Sequence, residues 1–286
     1  SNAHIRSTEG VVLDRIPPRL KIRQDAPVEL PHIMLLIDDR KHSVIEPIWS
    51  ERASLEKVYD FDLNMGGGHL EGYRIDAQKV IDVFENYVGS VQNLYGGDKN
   101  DFIFAVGDGN HSLATAQAHW NRIKEGLTES EKAVHPARFA LCEVENLHDE
   151  GIVFEPIHRF VFGVGEDFVP YMQNALSGEK EIVAFDKNGE YKLHVDKIGA
   201  KAIKDVQDAI DAYIKEHSDC VVDYIHGIEH LKDVAAHNDG VAIVMPKIEK
   251  EELFGYVLKN GTLCRKAFSM GEAEEKRYYF EAKRIK

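Results

Sequence analysis

Between Asp108 and Ser112 the chain reads Asp-Gly-Asn-His-Ser, an acid, an amide, an imidazole and a hydroxyl with Gly107 and Gly109 on either side of the acid. Asp108 is suited to hold Mg²⁺ or to accept a proton, and His111 and Ser112 to donate to phosphate oxygens. The two glycines permit positive φ or close backbone approach to a ligand. A helix starting just after this turn offers unpaired N–H groups that suit a phosphate or a carboxylate, and the turn's own N–H groups around Gly109, Asn110 and His111 suit a phosphate as well. The alternative is an ordinary strand-to-helix connection in which Asp108 or Asn110 caps the helix. The GxxxxGK[ST] spacing of a Walker loop and the third glycine of a nicotinamide-binding GxGxxG are both missing.

Three further segments carry reactive side chains. In Asp62 to Arg74, three consecutive glycines precede His69, Glu71 and Arg74, so the segment is either an anion nest or a plain flexible turn. In Glu155-Pro-Ile-His-Arg-Phe160, His158 and Arg159 point to opposite faces if the segment is a strand. Arg15, Arg19 and Arg23 form a basic cluster near the start of an otherwise acidic chain. Such guanidiniums either grip an oxyanion by forked hydrogen bonds or form a solvated charged face. His226 and His230 have i, i+4 spacing but straddle Gly227, which disfavours zinc, and no HExxH is present. No G-x-S-x-G elbow or cysteine-nucleophile context supports acyl transfer.

These residues have to be positioned by the elements around them. Phe102 to Val106 has the composition of a buried strand and feeds the 107–112 turn and a helix over 113–127. The spacing of Val80, Ile81, Phe84, Tyr87, Val88, Val91 and Leu94 predicts an amphipathic helix capped by Asp76. Thr128 and Glu131 have capping-box spacing. Strands are expected near 32–38, 58–63, 138–144, 152–162, 182–185, 191–195, 220–225, 241–245 and 277–281. Helices are expected near 167–176, 202–217, 228–237 and 251–259. The alternation predicts an α+β fold with mixed sheets and helices packed on them. The weakest boundary lies at Gly163 to Gly165, giving regions 4–163 and 164–286, either separate or packed as one continuous domain.

Composition narrows the function. The 286 residues include 43% hydrophobic and 29% charged side chains, which excludes a disordered or collagen-like chain. Thirty-five basic against 49 acidic residues give a net charge of −14, which repels a polyphosphate backbone and argues against nucleic acid as a partner. Cys142, Cys220 and Cys264 form no CxxC pair and read as reduced cysteines of a cytoplasmic protein. No apolar run approaches a membrane span and no signal peptide is evident. Ser1-Asn2-Ala3 reads as the scar of a cleaved expression tag.

Three ordered motifs carry a resemblance: Asp108-Gly-Asn-His-Ser112 before an alanine-rich helix, Glu155-Pro-Ile-His-Arg159, and Lys276-Arg-Tyr-Tyr-Phe-Glu-Ala-Lys283. Together they resemble the prokaryotic family called domain of unknown function 1015, whose matching elements read DGHHR, PTHR and a closing aromatic-lysine strand. The resemblance covers nearly the whole chain from His4 and implies that family members carry a further N-terminal stretch. The DGHHR-type turn is in turn similar to that of the ParB and sulfiredoxin superfamily, which includes nucleotide-dependent free-serine kinases and binds nucleotide phosphates there. Asn110 stands in place of the first histidine and Ser112 in place of the arginine, so either Arg159 or Arg15 supplies the missing forked donor or the ligand has changed.

The resulting expectation is a nucleotide-dependent phosphotransferase acting on a small hydroxyl-bearing molecule, with a nucleoside tri- or diphosphate and Mg²⁺. In this reading Asp108, His111, His158 and Arg159 are catalytic, with Asp108 also the metal ligand. Gly107, Gly109, Asn110, Ser112 and Arg15 bind the cofactor. The alternative is a nucleotide- or phosphate-responsive binding module without catalysis. Partners are a small-molecule ligand and, as an open assembly, a second copy in a homodimer.

Overall fold

The computed structural model describes residues 3–30, 33–96, 102–271 and 278–286. Its contacts divide into two units, Ser1–Ile152 with Gly271–Lys286, and Val153–Met270. The first unit runs β1 (Ile5–Ser7), α1 (Ile16–Arg23), β2 (Val28–Glu29), β3 (Met34–Ile37), α2 (Ile45–Ser50), β4 (Glu56–Asp62), β5 (His69–Arg74), α3 (Ala77–Leu94), β6 (Phe104–Asp108), α4 (Asn110–Ile123), α5 (Glu129–Val134) and β7 (Glu143–Asn146). The second holds β8 (Phe154–Phe162), α6 (Phe168–Ala175), β9 (Lys180–Phe185), β10 (Glu190–Val195), α7 (Ala200–Glu216), β11 (Val221–His226), α8 (Ile228–His237), β12 (Gly240–Ile243), α9 (Lys250–Asn260) and β13 (Phe268–Met270). The chain then returns to the first unit, where β14 (Lys283–Arg284) pairs with β2. The fold is α+β with mixed and antiparallel sheets.

In the first unit a four-stranded sheet has the order β1-β6-β3-β7. β6 runs parallel to β1 and antiparallel to β3, so the strand that delivers Asp108 is interior. Leu35, Leu36, Ile37, Ala105 and Val106 are all buried, because an interior strand covered on both faces needs apolar side chains on both. Tyr87 and Val91 of α3 pack against Ile37, Val44 and Ile103. The Asp76 carboxylate caps α3 by accepting from Gln78 N at 2.9 Å. Leu113 of α4 packs against the cluster of Ile33, Leu35 and Val106. This fixes the start of α4 over the end of β6.

The second unit is built on a sheet of order β10-β9-β12-β8-β11, with β13 also paired to β8. Ala202, Ile203, Val206, Ile210 and Tyr213 of α7 are buried at three- and four-residue spacing, the stripe an amphipathic helix turns toward a core.

Four sequence expectations shift. The helix after β6 begins at Asn110 rather than Leu113, because Gly109 already makes the turn. The 138–144 strand is replaced by β7 at Glu143–Asn146, since Pro136–Arg138 forms a short helical turn of its own and a proline lacks a ladder donor. Of the 277–281 strand, Arg277 lies outside the described residues and 278–281 run without ladder pairing; only Lys283–Arg284 pairs. The contact division falls before β8 rather than at Gly163 to Gly165, because β8 is the strand on which the second sheet is assembled, and 271–286 go back to the first unit. No element was expected over 16–23; Pro17 and Pro18 sit in the first turn of α1, where a missing N–H costs nothing.

Candidate functional site

β6 ends at Asp108, and Gly109 turns the chain at φ 79°, ψ 16° into α4. This left-handed geometry would cost a side-chain-bearing residue about 1 kcal/mol, which explains a glycine here. The Asp108 Oδ1 accepts from Gly109 N at 2.7 Å, and Asn110 Oδ1 accepts from His111 N at 2.9 Å. Leu113 N begins the helical ladder by donating to Gly109 O at 2.9 Å. Among the described residues, the Asn110 and Ser112 amides have no acceptor. A 14-residue helix thus presents two unengaged donors at its positive end, the arrangement that favours an anion.

The segment leading into α1 borders this helix start. Buried Thr8 donates from N and Oγ1 to Val106 O at 3.3 and 2.8 Å. Asn110 Nδ2 donates to Glu9 O at 3.3 Å and Gly10 O at 3.4 Å. Val12 N donates to His111 Nε2 at 3.0 Å. Arg15 and Arg19 follow on the same stretch, Arg19 Nη1 donating to Arg15 O at 3.0 Å. Burial first, then the positive charges of Arg15 and Arg19, lower the His111 pKa, against a smaller upward pull from Asp108. Gly107, Asp108, Gly109, Asn110, His111, Ser112 and Arg15 are therefore gathered in one place. Sequence reasoning left Arg19 out of the site; its signal was the i, i+4 spacing from Arg15.

His158 and Arg159 belong to the second unit, where His158 Nδ1 and the Arg159 guanidinium are engaged. His158 is buried, and its Nδ1 accepts from Met245 N at 3.1 Å. Its pKa is lowered by burial and then by Arg159 and His226. Arg159 is 0% exposed. Its Nε donates to Gln207 Oε1 at 2.7 Å, Nη1 to the carbonyls of Ile157 and His158, and Nη2 to Lys266 O at 3.0 Å and Arg265 O at 3.5 Å. The guanidinium also lies over the Tyr224 ring, 4.6 Å from its centroid. Burial lowers its pKa. All its acceptors are neutral, and together they pin the 264–267 loop to β8.

The glycine segment forms the tip of the β4–β5 hairpin. His69 contacts Asp60 at 2.9 Å and Asp62 at 2.7 Å, and Arg74 contacts Glu56 at 3.1 Å. The ligand-type atoms of Asp60, His69 and Glu71 lie within 4.8 Å of one another, but the Lys57 ammonium occupies the cluster, 2.5 Å from Asp60 and 3.1 Å from Glu71. This is a solvated ion-pair network. His226 and His230 are both exposed.

The model of the family described as protein of unknown function DUF1015 matches residues 1–264. This chain belongs to that family. No curated protein sequence matches it. Among solved structures, a point mutant of free serine kinase in complex with ADP is similar at a TM-score of 0.54 and 9% identity, over 99% of this chain and 89% of that chain. Free serine kinase in complex with AMP gives 0.50 and 10%, over 99% and 88%. At these identities the likeness shows that the DUF1015 chain shares the kinase's fold. Among the described residues no helix is long and apolar enough to cross a membrane.

Proposed function

We propose that this DUF1015 protein is a nucleotide-dependent phosphotransferase that acts on a small hydroxyl-bearing molecule in the cytoplasm. The observation that carries the reading is the start of α4, where the unengaged amides of Asn110 and Ser112 stand beside the Arg15 segment. Phosphoryl transfer asks mainly for positioning and for neutralisation of charge on the transferred group, and helix amides with guanidiniums supply both. The shared fold of a kinase whose structures are in complex with ADP and AMP supports a nucleotide as the phosphate source, as does the strand-turn-helix likeness to the ParB and sulfiredoxin superfamily. Mg²⁺ usually binds through one or two carboxylates together with substrate phosphates and water, and Asp108 is the carboxylate at the turn. The ion would neutralise phosphate charge there. Ser112 in place of the arginine of a DGHHR turn leaves Arg15, rather than a residue at position 112, as the forked donor.

The second reading, a binding module without catalysis, is favoured by the engagement of the candidate proton acceptors. The Asp108 carboxylate already accepts the Gly109 amide and His111 Nε2 accepts that of Val12. A coupled assay of nucleoside diphosphate release across a panel of small alcohols and hydroxy-amino acids decides between them. Turnover that disappears in Asp108→Asn, while the melting temperature stays within a few degrees, supports transfer; Asn retains an Oδ1 acceptor for the Gly109 amide. Saturable stabilisation by ADP without any product supports the module.

A further inference from the structure

One ring nitrogen of His111 is already committed to the backbone of the segment leading into α1. Its Nε2 is an acceptor for the Val12 amide at 3.0 Å, so the ring must be neutral with its proton on Nδ1. Next to it, Asn110 uses Nδ2 to hold the Glu9 and Gly10 carbonyls and Oδ1 to hold the His111 amide. Two adjacent side chains at the start of α4 thus bind the backbone of residues 9, 10 and 12. The sequence separations of 99 to 101 residues show that these contacts are tertiary. Residues 9–12 lead directly to Arg15 and Arg19, which are exposed and whose charges act on His111.

We propose that Asn110 and His111 are positioning residues, a clasp that fastens the arginine-bearing segment to the start of α4 and so completes the anion site. The proposal rests on the reading of that site as a phosphate site and specifies how it is assembled and regulated. While Nε2 accepts the Val12 amide it cannot donate to a phosphate; a clasp needs one ring nitrogen as an acceptor, and that is what Nε2 does. It also accounts for Asn110 in place of a histidine, since an amide side chain donates to two carbonyls and accepts an amide at once. Below its titration the ring loses the Nε2 lone pair and the Val12 bond breaks. Arg15 and Arg19 from the α1 side oppose protonation and Asp108 from β6 favours it, so the clasp is closed at neutral pH and opens as pH falls below the ordinary histidine range.

Hydrogen exchange at the Val12 amide reads the clasp without any ligand, and ADP affinity by calorimetry reads its consequence. In the wild-type protein Val12 is protected at neutral pH, after correction for intrinsic exchange, and loses about tenfold of that protection toward pH 5. His111→Gln places an amide oxygen near the Nε2 position and does not titrate, so protection persists across the range. His111→Ala abolishes it and weakens ADP about tenfold, as Arg15→Ala does. If His111→Ala does not fold, the wild-type pH series and Asn110→Ala, which frees the same segment, give the same reading. Val12 protection that is independent of pH and of residue 111 overturns the clasp. Protection that behaves as expected in a protein that binds neither ADP nor phosphate retains the clasp and overturns the nucleotide reading.

Discussion

The start of α4 and the centre of β8 carry equally suggestive side chains, yet the structure uses them in opposite ways. At α4 a helix end leaves the Asn110 and Ser112 amides unengaged beside exposed arginines. At β8 the Arg159 guanidinium is fully buried and spends its donors on Gln207 and four backbone carbonyls. A charged side chain is available to a ligand only where the fold leaves its donors unused. Arg159 holds its own unit together; Arg15 and Arg19 are exposed, as the proposed anion site requires.

The sharpest way to break this contrast is Arg159→Met. It keeps apolar bulk but strands the Ile157 and Lys266 carbonyls and the Gln207 amide, so we expect a loss on the order of 3 kcal/mol in urea unfolding. ADP binding per folded molecule should be unchanged. A stable variant that no longer binds ADP would move Arg159 into the ligand site. The reciprocal test is Arg15→Ala with Arg19→Ala. Both side chains are exposed, so stability should stay within about 0.5 kcal/mol, while ADP affinity falls about tenfold or more, with a weaker salt dependence. An unchanged dissociation constant would remove the anion site.

The smallest effect concerns the two neutral imidazoles, each of which accepts a backbone amide. Burial pulls the His158 pKa below the ordinary histidine value of about 6.5, so the folded state disfavours its protonated form. Its contribution to stability is full above about pH 6.5 and is lost as pH falls through the folded pKa. His158→Asn keeps an acceptor near Nδ1 and does not titrate, and should flatten the acid limb of a stability-against-pH curve by under about 1 kcal/mol. The corresponding change at His111 should appear in ligand affinity instead. If His158→Asn changed the pH dependence of ADP binding and left unfolding alone, the roles of the two regions would be exchanged.

The strands and long helices were legible because burial writes a period into sequence. α3, α7 and α8 show three- and four-residue apolar spacing, β3 and β6 are short apolar runs, and Thr128 with Glu131 forms the capping box that their spacing announced. The strand-turn-helix at 104–123 was legible too, apart from the early start of α4. α1 and β14 were not. α1 is exposed along most of its length and opens on two prolines, and β14 exists only because β2 offers it a partner.

The amino-acid sequence by itself determined the α+β class, the interior strand that delivers Asp108, and the glycine turn before a helix, since each follows from local period, propensity and φ. Only the tertiary structure decided which charged groups are spent and which are available. Arg159 and Arg15 are the same residue type with the same five donors, and no local pattern separates them. The difference is made by acceptors far along the chain: Gln207 and Lys266 for Arg159, while Asn110 and His111 fix residues 9–12 and leave Arg15 exposed. A hydrogen bond depends on distance and direction in space, and sequence records neither for residues 48 to 107 positions apart.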